Sequence, residues 1–236
     1  MSRYGKFYGI GVGPGDPELI TIKAVKILEL SDVVYVPTKT TENGSFAYSI
    51  IENYVKNAKI KPAIFPMSYK EDILISHREK IVKDLIEDLK NFEIVTFITI
   101  GDPMLYSTYS YILEMLKTKL PGLATETIPG ISSVTTLACK SEVPLASESE
   151  KFAIYPVTHF NDEEFKKLYE VCDSIVLMKF PKDSENIIKK IKEFEFSKVV
   201  YMKNICRDGE ILRNDLEAEE LTQNCKKYFT TVLLKK

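Results

Sequence analysis

The sequence lacks tryptophan and holds few metal-binding side chains, with two histidines and four cysteines among 236 residues. The histidines, His77 and His159, lie far apart. The cysteines are Cys139, Cys172, Cys206 and Cys225. No two of them form a C-x-x-C pair, and their spacing matches no zinc pattern. We therefore expect no metal site, and we expect free, buried thiols of a protein kept in a reducing cytosol.

Long apolar runs and an excess of one charge are also missing. The run Ile94–Ile100 is among the longest, and it is far shorter than the ~18 residues that span a bilayer. The 32 Lys and Arg nearly offset the 34 Asp and Glu, which leaves a net charge of −2. Bulk positive charge for holding nucleic acid is therefore absent. We expect a cytoplasmic protein with neither a membrane nor a nucleic-acid partner.

Strand-like and helix-like segments alternate along most of the chain. Apolar patterning predicts strands at 6–12, 32–36, 60–66, 93–100, 152–157, 174–178, 198–202 and 230–234, and helices at 21–30, 73–91, 104–120, 163–171 and 185–194, with a further helix starting after Ser45. Such alternation is typical of a parallel sheet flanked by helices. We predict an α/β protein of two α/β domains, 1–130 with a mainly parallel sheet and 131–236 with a mixed sheet, and a cofactor cleft between them.

Five of the ten glycines fall within the first fifteen residues, and four of these lie in the segment Gly9–Gly15. The G-x-G-x-x-G dinucleotide fingerprint fails here, because its third glycine would fall on Pro14 or on Asp16. The phosphate-binding G-K-[ST] pattern is missing as well. Spacing alone favours a tight strand-to-helix turn in which Asp16 caps the following turn.

A resemblance adds to this interpretation. The segment GIGVGPGDPELITIKAVKIL resembles the opening motif of the tetrapyrrole (corrin/porphyrin) methylases, which are S-adenosylmethionine-dependent enzymes. Further blocks follow in that family's order. They are Thr99–Pro103 (T-I-G-D-P), Ile128–Ser133 (I-P-G-I-S-S), Ser174–Phe180, Tyr201–Asn204 and Tyr228–Thr231. Together these blocks cover essentially the whole chain.

Within that family, Gly101–Thr108 resembles the subgroup that methylates carbon 20 of the ring, as does the segment Asn43–Tyr48. The resemblance implies methyl transfer from S-adenosylmethionine to cobalt-factor II or to metal-free precorrin-2 in cobalamin biosynthesis. S-adenosylhomocysteine would be the other product, and a homodimer is implied. Alternatives stay open: a methylase of this fold acting on another corrin position, on a protein or on ribosomal RNA, or a cofactor-binding module without turnover.

The resemblance also implies which residues border the cofactor. They are Pro14, Gly101, Asp102, Met104, Ser132 and Ser133 in the first half, and Met178, Tyr201, Thr230 and Thr231 in the second half. Taken singly, Gly101–Pro103 could equally be a strand-ending turn, Ser132 and Ser133 a helix N-cap, and Met178 and Tyr201 core residues.

Two further roles belong to the proposed chemistry. A proton must leave carbon 20 after methyl transfer, and some relatives carry an aspartate after the second strand as a proposed base. Pro37 occupies that place here, so the base is not carried over, and Asp102 and Tyr106 are our candidates. The substrate carries several carboxylates, which calls for local basic residues. The candidates for these are Arg3, Lys39, Lys140, Arg207 and Arg213.

Overall fold

The computed structural model describes residues 4–38, 45–66, 71–181, 184–214 and 229–236. The chain divides into two compact units, Met1–Ser132 and Ser133–Lys236. Arg3, Lys39, Cys225 and Tyr228 lie outside the described residues, as does part of the Asn43–Tyr48 segment.

The first unit is built on one five-stranded sheet of order β3-β2-β4-β1-β5, in which every pair of neighbours is parallel. Its strands are β1 (Lys6–Gly11), β2 (Val33–Thr38), β3 (Lys59–Ile64), β4 (Ile94–Thr99) and β5 (Thr125–Ile128). Its helices are α1 (Ile22–Leu30), α2 (Phe46–Ile51), α3 (Glu71–Asn91) and α4 (Tyr109–Lys119). The predicted parallel sheet is confirmed.

Helices cover both faces of this sheet, which explains why its central strands are apolar on both sides. On one face, α1 and α2 pack with Ile10, Val34 and Ile98 in one apolar core. On the other face, α3 and α4 pack with Phe7 and Phe97 in a second core. The sheet is thus a rigid middle layer from whose edges loops project.

The second unit holds a mixed sheet of order β6-β7-β10-β8-β9, as predicted. The β6–β7 pair is parallel, and the other three pairs are antiparallel. Its strands are β6 (Phe152–Pro156), β7 (Ser174–Met178), β8 (Lys198–Lys203), β9 (Ile211–Arg213) and β10 (Thr230–Lys235). Its helices are α5 (Ser133–Ser141), α6 (Asp162–Val171) and α7 (Glu185–Ile191).

Several sequence-based expectations need correction. Helix α4 begins at Tyr109 rather than at Met104, because the preceding residues form a loop in which Tyr106 adopts a left-handed backbone with φ 50°. Strands β5 and β9 and helix α5 were not predicted, since β5 and α5 are short and rich in polar residues and β9 has only three residues. The three described cysteines are free, and of these Cys172 is buried, Cys206 is half-buried and Cys139 is exposed, so the expectation of buried thiols holds for Cys172 alone among them.

No helix in the described part of the chain is both long enough and apolar enough to cross a membrane. In the same part, no group of three or more His, Cys, Asp or Glu side chains is placed to hold a metal ion.

Candidate functional site

Strand order singles out one crevice in the first unit. In the strand order, the connection from β1 leads to β2, toward one edge of the sheet. The connection from β4 leads to β5, toward the opposite edge. Because β1 and β4 are neighbours, their carboxyl ends form a topological switch point, where α/β proteins bind ligands. The loops beyond β1, β4 and β5 meet at this edge.

Glycines allow the three loops to touch through their backbones. A Cβ atom on Gly11 would lie 2.5 Å from the Gly101 carbonyl oxygen and 2.6 Å from the Gly130 nitrogen. Beyond this point the Gly101 N–H donates to the Gly13 carbonyl oxygen at 2.7 Å. Gly13 and Gly101 both have left-handed backbones, with φ of 83° and 73°, which a side chain would strain. The glycine cluster therefore serves close backbone packing across the sheet.

Asp102 joins two of these loops with one carboxylate. Its Oδ1 accepts a hydrogen bond from the Met104 N–H at 2.8 Å, and its Oδ2 accepts one from the Gly130 N–H at 3.1 Å. The first bond closes a local turn of the kind that Asp favours, and the second spans 28 residues. Asp102 thus fixes the loop after β4 against the loop after β5.

The charge of these loops suits a cation rather than a phosphate. The segments 12–20, 100–108 and 129–132 hold Asp16, Glu18 and Asp102 and no Lys, Arg or His. Asp16 accepts from the Glu18 N–H at 2.9 Å and caps a short 3-10 helix, as predicted. The helices α1 and α4 begin several residues beyond the strand ends, so neither presents the helix N-terminus that phosphate sites use.

The structure brings together most of the first-half residues predicted from the resemblance. Pro14 is buried between Gly13 and Gly15 in the loop after β1. The Ser132 Cα lies 3.9 Å from the position of a Cβ on Gly101, and apart from the residues adjoining Gly101 no other described residue comes within 4 Å. The region in front of position 101 is therefore open among the described residues.

The remaining candidates of this edge are more exposed. Met104 is 62% exposed and Tyr106 is 45% exposed, although both follow the buried Gly101 closely in sequence. Ser133 is the first residue of α5 and falls in the second unit. Both side chains thus expose a large part of their surface beside a loop that Asp102 fixes.

The four second-half candidates do not share one face of their sheet. In the register of β10 and β7, Thr231 lies opposite Met178, while Val232 of β10 lies opposite Tyr201 of β8. Since side chains alternate along a strand, Met178 and Thr231 point to one face, and Tyr201 and Thr230 point to the other. Tyr201 is fully buried in the apolar core that contacts α6 and α7.

Thr230 carries the clearest sign of a missing partner. Its hydroxyl Oγ1 is buried and has no hydrogen-bond partner among the described residues, although the residue is only 1% exposed. A buried hydroxyl left unpaired costs about 1–3 kcal/mol. A ligand atom at the start of β10 would remove that cost.

Sequence reasoning did not identify Gly11 and Gly130 as site residues. The spacing test compared glycines within one segment, whereas Gly11 packs against residues about 90 and 120 positions further along the chain. The signal in the sequence was that glycine recurs at or just after the ends of three strands, β1, β4 and β5.

Comparison with known proteins identifies the family of the chain. The family model "Tetrapyrrole (Corrin/Porphyrin) Methylases" matches residues 6–219. A probable cobalt-precorrin-2 C(20)-methyltransferase of Methanocaldococcus jannaschii is 37% identical over 174 residues, which is 74% of this chain and 72% of that protein. The cobalt-precorrin-2 C(20)-methyltransferase of Salmonella typhimurium is 32% identical over 176 residues, 74% of this chain and 73% of that protein.

Among solved structures, uroporphyrin-III C-methyltransferase from Thermus thermophilus, complexed with S-adenosyl homocysteine, superimposes with a TM-score of 0.68. The match covers 98% of this chain and 92% of that one at 19% identity, so it shows a shared fold. The family model covers most of the chain, and both relatives exceed 30% identity over about three quarters of their length. The chain therefore belongs to the tetrapyrrole (corrin/porphyrin) methylase family.

Proposed function

We propose that this chain transfers the methyl group of S-adenosylmethionine to carbon 20 of cobalt-factor II (cobalt-precorrin-2), a step of cobalamin biosynthesis. S-adenosylhomocysteine is the second product. The choice of carbon 20 and of the cobalt-containing acceptor is supported by the two relatives that share 37% and 32% of their residues with this chain.

One observation carries the choice of methyl donor: three loops meet at a switch point and contain acidic but no basic side chains. S-adenosylmethionine supplies a methyl group on a positively charged sulfur, which such loops stabilise better than they would a phosphate. Within the first unit, the space in front of Gly101, where Ser132 is the only described neighbour within 4 Å beyond the adjoining residues, fits a ligand of this kind. That residues 131–236 close the same cofactor site stays a prediction.

In this proposal the residues of the first unit act mainly by positioning. Transfer to carbon requires the acceptor atom and the methyl group to be in line at about 3–3.5 Å, and a fixed geometry of this kind lowers the barrier by several kcal/mol. The Asp102 hydrogen bonds and the Gly11 packing hold the loops at the donor site. We assign Asp102 to positioning, because both of its carboxylate oxygens already accept backbone hydrogen bonds.

Tyr106 is the better of the two candidates for contact with the acceptor. It is 45% exposed, and its left-handed backbone, with φ 50°, is the kind of strain that recurs at ligand sites. If the Tyr106 hydroxyl relays the carbon 20 proton, accepting it while it passes its own proton to water, Tyr106→Phe will lower kcat and leave the affinity for S-adenosylhomocysteine unchanged. An unaltered kcat would assign Tyr106 no part in proton removal.

The test of the function is an anaerobic incubation with methyl-labelled S-adenosylmethionine and, in parallel, cobalt-factor II or precorrin-2. One labelled methyl group, detected by mass spectrometry and placed at carbon 20 by carbon NMR, is the expected result, with the cobalt form preferred. Transfer of the label to another ring position would contradict methylation at carbon 20 and identify a different corrin methyltransferase. Donor binding without transfer to any tetrapyrrole, protein or RNA acceptor would instead identify a binding module.

We further propose that the protein works in the cytoplasm as a homodimer. The free thiols Cys139, Cys172 and Cys206 support a reducing compartment, since disulfides persist mainly in oxidising ones. The dimer is supported by the family resemblance. Sedimentation at micromolar concentration is expected to give twice the 27.0 kDa chain mass, and a 27.0 kDa species would contradict the dimer.

A further inference from the structure

An arginine of the first unit contacts the aromatic ring of a tyrosine on the neighbouring helix. The guanidinium carbon of Arg78, on α3, lies 4.1 Å from the centroid of the Tyr111 ring of α4. Arg78 is half-buried, and Tyr111 is 49% exposed. A contact of this kind attracts the positive charge, but it supplies no acceptor oxygen for the five N–H donors of a guanidinium.

One of these donors is buried without an acceptor. The Nε–H group of Arg78 has no hydrogen-bond partner among the described residues, and in the same part of the chain no Asp or Glu side chain is paired with this guanidinium. Lys140, one of the basic residues predicted to bind substrate carboxylates, differs, because its Nζ lies 2.7 Å from both Glu210 carboxylate oxygens. A buried donor without an acceptor is costly, so it calls for an acceptor from outside the chain.

Packing between the two helices fixes this contact. Val82 of α3 and Ile112 of α4 are buried in one apolar core. Arg78 lies one turn before Val82 and therefore on the same face of α3, and Tyr111 directly precedes Ile112. The guanidinium is thus held by a packed pair of helices.

The contact lies at the carboxyl edge of the first sheet. Helix α3 follows β3 and returns the chain to the start of β4, so it begins at that edge. Arg78 lies about 20 Å along the helix from its last residue, Asn91, and a six-residue strand such as β4 is also about 20 Å long. Helix α4 begins at the same edge, because the Ser107 Oγ lies 3.0 Å from the Thr99 Oγ1 at the end of β4 and accepts from the Tyr109 N–H at 3.2 Å. The loops of the switch point project from this edge as well.

We propose that the Arg78 guanidinium, held on the Tyr111 ring, binds one carboxylate group of the macrocycle and thereby selects and places the carboxylated substrate. This inference rests on the proposed function, which requires a substrate with acetate and propionate side chains. The switch-point loops contain no Lys, Arg or His, so a cation at this edge has to come from a neighbouring element. Arg78 supplies it from α3, and the planar fork of a guanidinium matches a carboxylate.

The carboxylate of S-adenosylmethionine is a competing source of the same chemistry. That carboxylate stands beside an ammonium group of its own molecule, which offsets its charge, whereas the carboxylates of the macrocycle have no such internal cation. The surroundings of Arg78 also favour the macrocycle. Tyr111 and Ile75, the latter 42% exposed and one turn before Arg78, offer apolar surface beside the cation. A large ring system with carboxylates on its rim can use both.

The experiment compares Arg78→Gln and Arg78→Lys with Lys80→Gln as the matched control. Lys80 is an exposed lysine of the same helix, and its variant removes the same charge. Uroporphyrin III, which carries acetate and propionate side chains but is not a methyl acceptor in this reaction, serves as the binding probe, followed by quenching of its fluorescence. Its fully esterified form tests the carboxylates, and calorimetry with S-adenosylhomocysteine tests the donor site. Urea denaturation of the ligand-free proteins measures their stability.

We expect Arg78→Gln to weaken uroporphyrin binding roughly tenfold or more, the range for a hydrogen bond to a charged group. Arg78→Lys keeps the charge without the planar fork, so it should weaken binding less, and it remains usable if Arg78→Gln fails to fold. The ester should bind all of these proteins equally weakly, while Lys80→Gln and every affinity for S-adenosylhomocysteine should match the wild type. The urea midpoint of Arg78→Gln should stay close to that of the wild type, because the lost ring contact is offset by removal of a buried donor without an acceptor.

Three results would overturn the assignment. Unchanged uroporphyrin affinity in folded Arg78→Gln would remove Arg78 from substrate recognition, and a lowered urea midpoint in that variant would then assign the contact to helix packing. Loss of S-adenosylhomocysteine affinity alone would assign Arg78 to the methyl donor. Conversion of a dimer to a monomer in sedimentation, with uroporphyrin affinity retained, would make Arg78 a contact between subunits.

Failure of the proposed function is distinguishable from failure of this inference, because the probe binds without turnover. No methyl transfer by the wild type, together with carboxylate-dependent binding that is lost in Arg78→Gln, would leave Arg78 as a tetrapyrrole-binding residue and discard the reaction. Methyl transfer at carbon 20 with unchanged binding in Arg78→Gln would retain the reaction and discard the role of Arg78.

Discussion

At the scale of single residues, glycine is required for different physical reasons at different positions of this chain. Gly11 would meet backbone atoms of Gly101 and Gly130 if it carried a Cβ atom, whereas Gly122 would meet nothing within 4 Å. Gly122 is needed for its left-handed backbone, with φ of 86°. One glycine is therefore fixed by packing between loops and the other by local conformation alone.

This difference predicts unequal effects of the same substitution. Gly11→Ala forces backbone atoms apart, and we expect a destabilisation of about 3 kcal/mol or more together with a loss of S-adenosylhomocysteine binding. Gly122→Ala should cost only the conformational term of about 1–2 kcal/mol and leave binding intact. Urea denaturation and calorimetry measure both quantities. Similar losses of binding in the two variants would show that close approach of the loops is not required.

Asp102 gives a second prediction, because only an ionised carboxylate accepts hydrogen bonds at both oxygens. Asp102→Asn keeps one acceptor and turns the other into a donor that faces a backbone N–H. We expect the loss of about 1.5–3 kcal/mol of interaction and at least a tenfold weaker affinity for S-adenosylhomocysteine. Amide exchange at Met104 and Gly130 should become faster, since these N–H groups donate to the carboxylate.

The matched control is Asp162→Asn, which removes an exposed carboxylate in the second unit. Asp162 lies 3.4 Å from Lys190, with 59% of its side chain exposed, so the change should alter stability by less than about 1 kcal/mol. An Asp102→Asn variant that binds the donor as tightly as this control would contradict the positioning role.

At the scale of elements, Glu126 ties β5 to its neighbours on the rigid sheet. Its carboxylate pairs with Lys23 of α1 and, at 2.6 Å, with Lys6 of β1. Hydrogen bonds from Lys23 and then Lys6 lower the pKa of Glu126 from the usual 4.5 to about 2. A lowered pKa in the folded state stabilises the fold above pH 4.5 and loses that contribution as the pH falls toward 2.

We therefore predict that the stability difference between the wild type and Glu126→Gln is constant near neutral pH and shrinks between pH 4.5 and 2. Because the ion pairs are exposed, added salt should reduce the difference at every pH. Denaturation as a function of pH measures the effect, and carbon NMR of the Glu126 carboxyl group gives its titration directly. A carboxyl group that titrates near 4.5 would refute the assignment.

The elements also show where sequence patterns sufficed. Helix α3 was predicted from its apolar stripe, and Val82, Leu85 and Leu89 are buried as expected. Asp88 on the same helix is also buried, because it accepts hydrogen bonds from Tyr35 of β2 at 2.5 Å and from Lys61 of β3. Hydrophobic periodicity depends only on residues that are close in sequence. It therefore cannot reveal hydrogen-bond partners that lie on other strands.

The same limit holds for the candidate site. The blocks Gly9–Gly15, Thr99–Pro103 and Ile128–Ser133 were found as motifs, since their residues are contiguous, and the structure joins them at one edge of the first sheet. In the second sheet, Met178 of β7 and Thr231 of β10 lie opposite each other only because the two strands pair, and neither stretch of sequence shows this by itself. Site residues that are contiguous in sequence could be predicted, whereas site residues brought together only by strand pairing could not.

At the scale of the whole molecule, net charge hides an uneven distribution. The total of −2 gives no general attraction for a polyanionic substrate, and the loops at the switch point are acidic. Attraction for carboxylates must then come from basic side chains close to the binding site. Such local attraction acts over about one Debye length, which is about 10 Å at 0.1 M salt and about 3 Å at 1 M.

We predict that salt weakens the binding of the two reactants unequally. Raising the ionic strength from about 0.1 M to about 1 M should raise the KM for the tetrapyrrole severalfold, because the screened interaction is between several carboxylates and basic side chains of the protein. The KM for S-adenosylmethionine should change much less, since that molecule carries charges of both signs and is held largely by backbone loops. Steady-state kinetics with one reactant saturating separates the two effects. An equal rise in both values would mean that salt acts on the fold, and a tetrapyrrole KM independent of salt would mean that carboxylates contribute little to recognition.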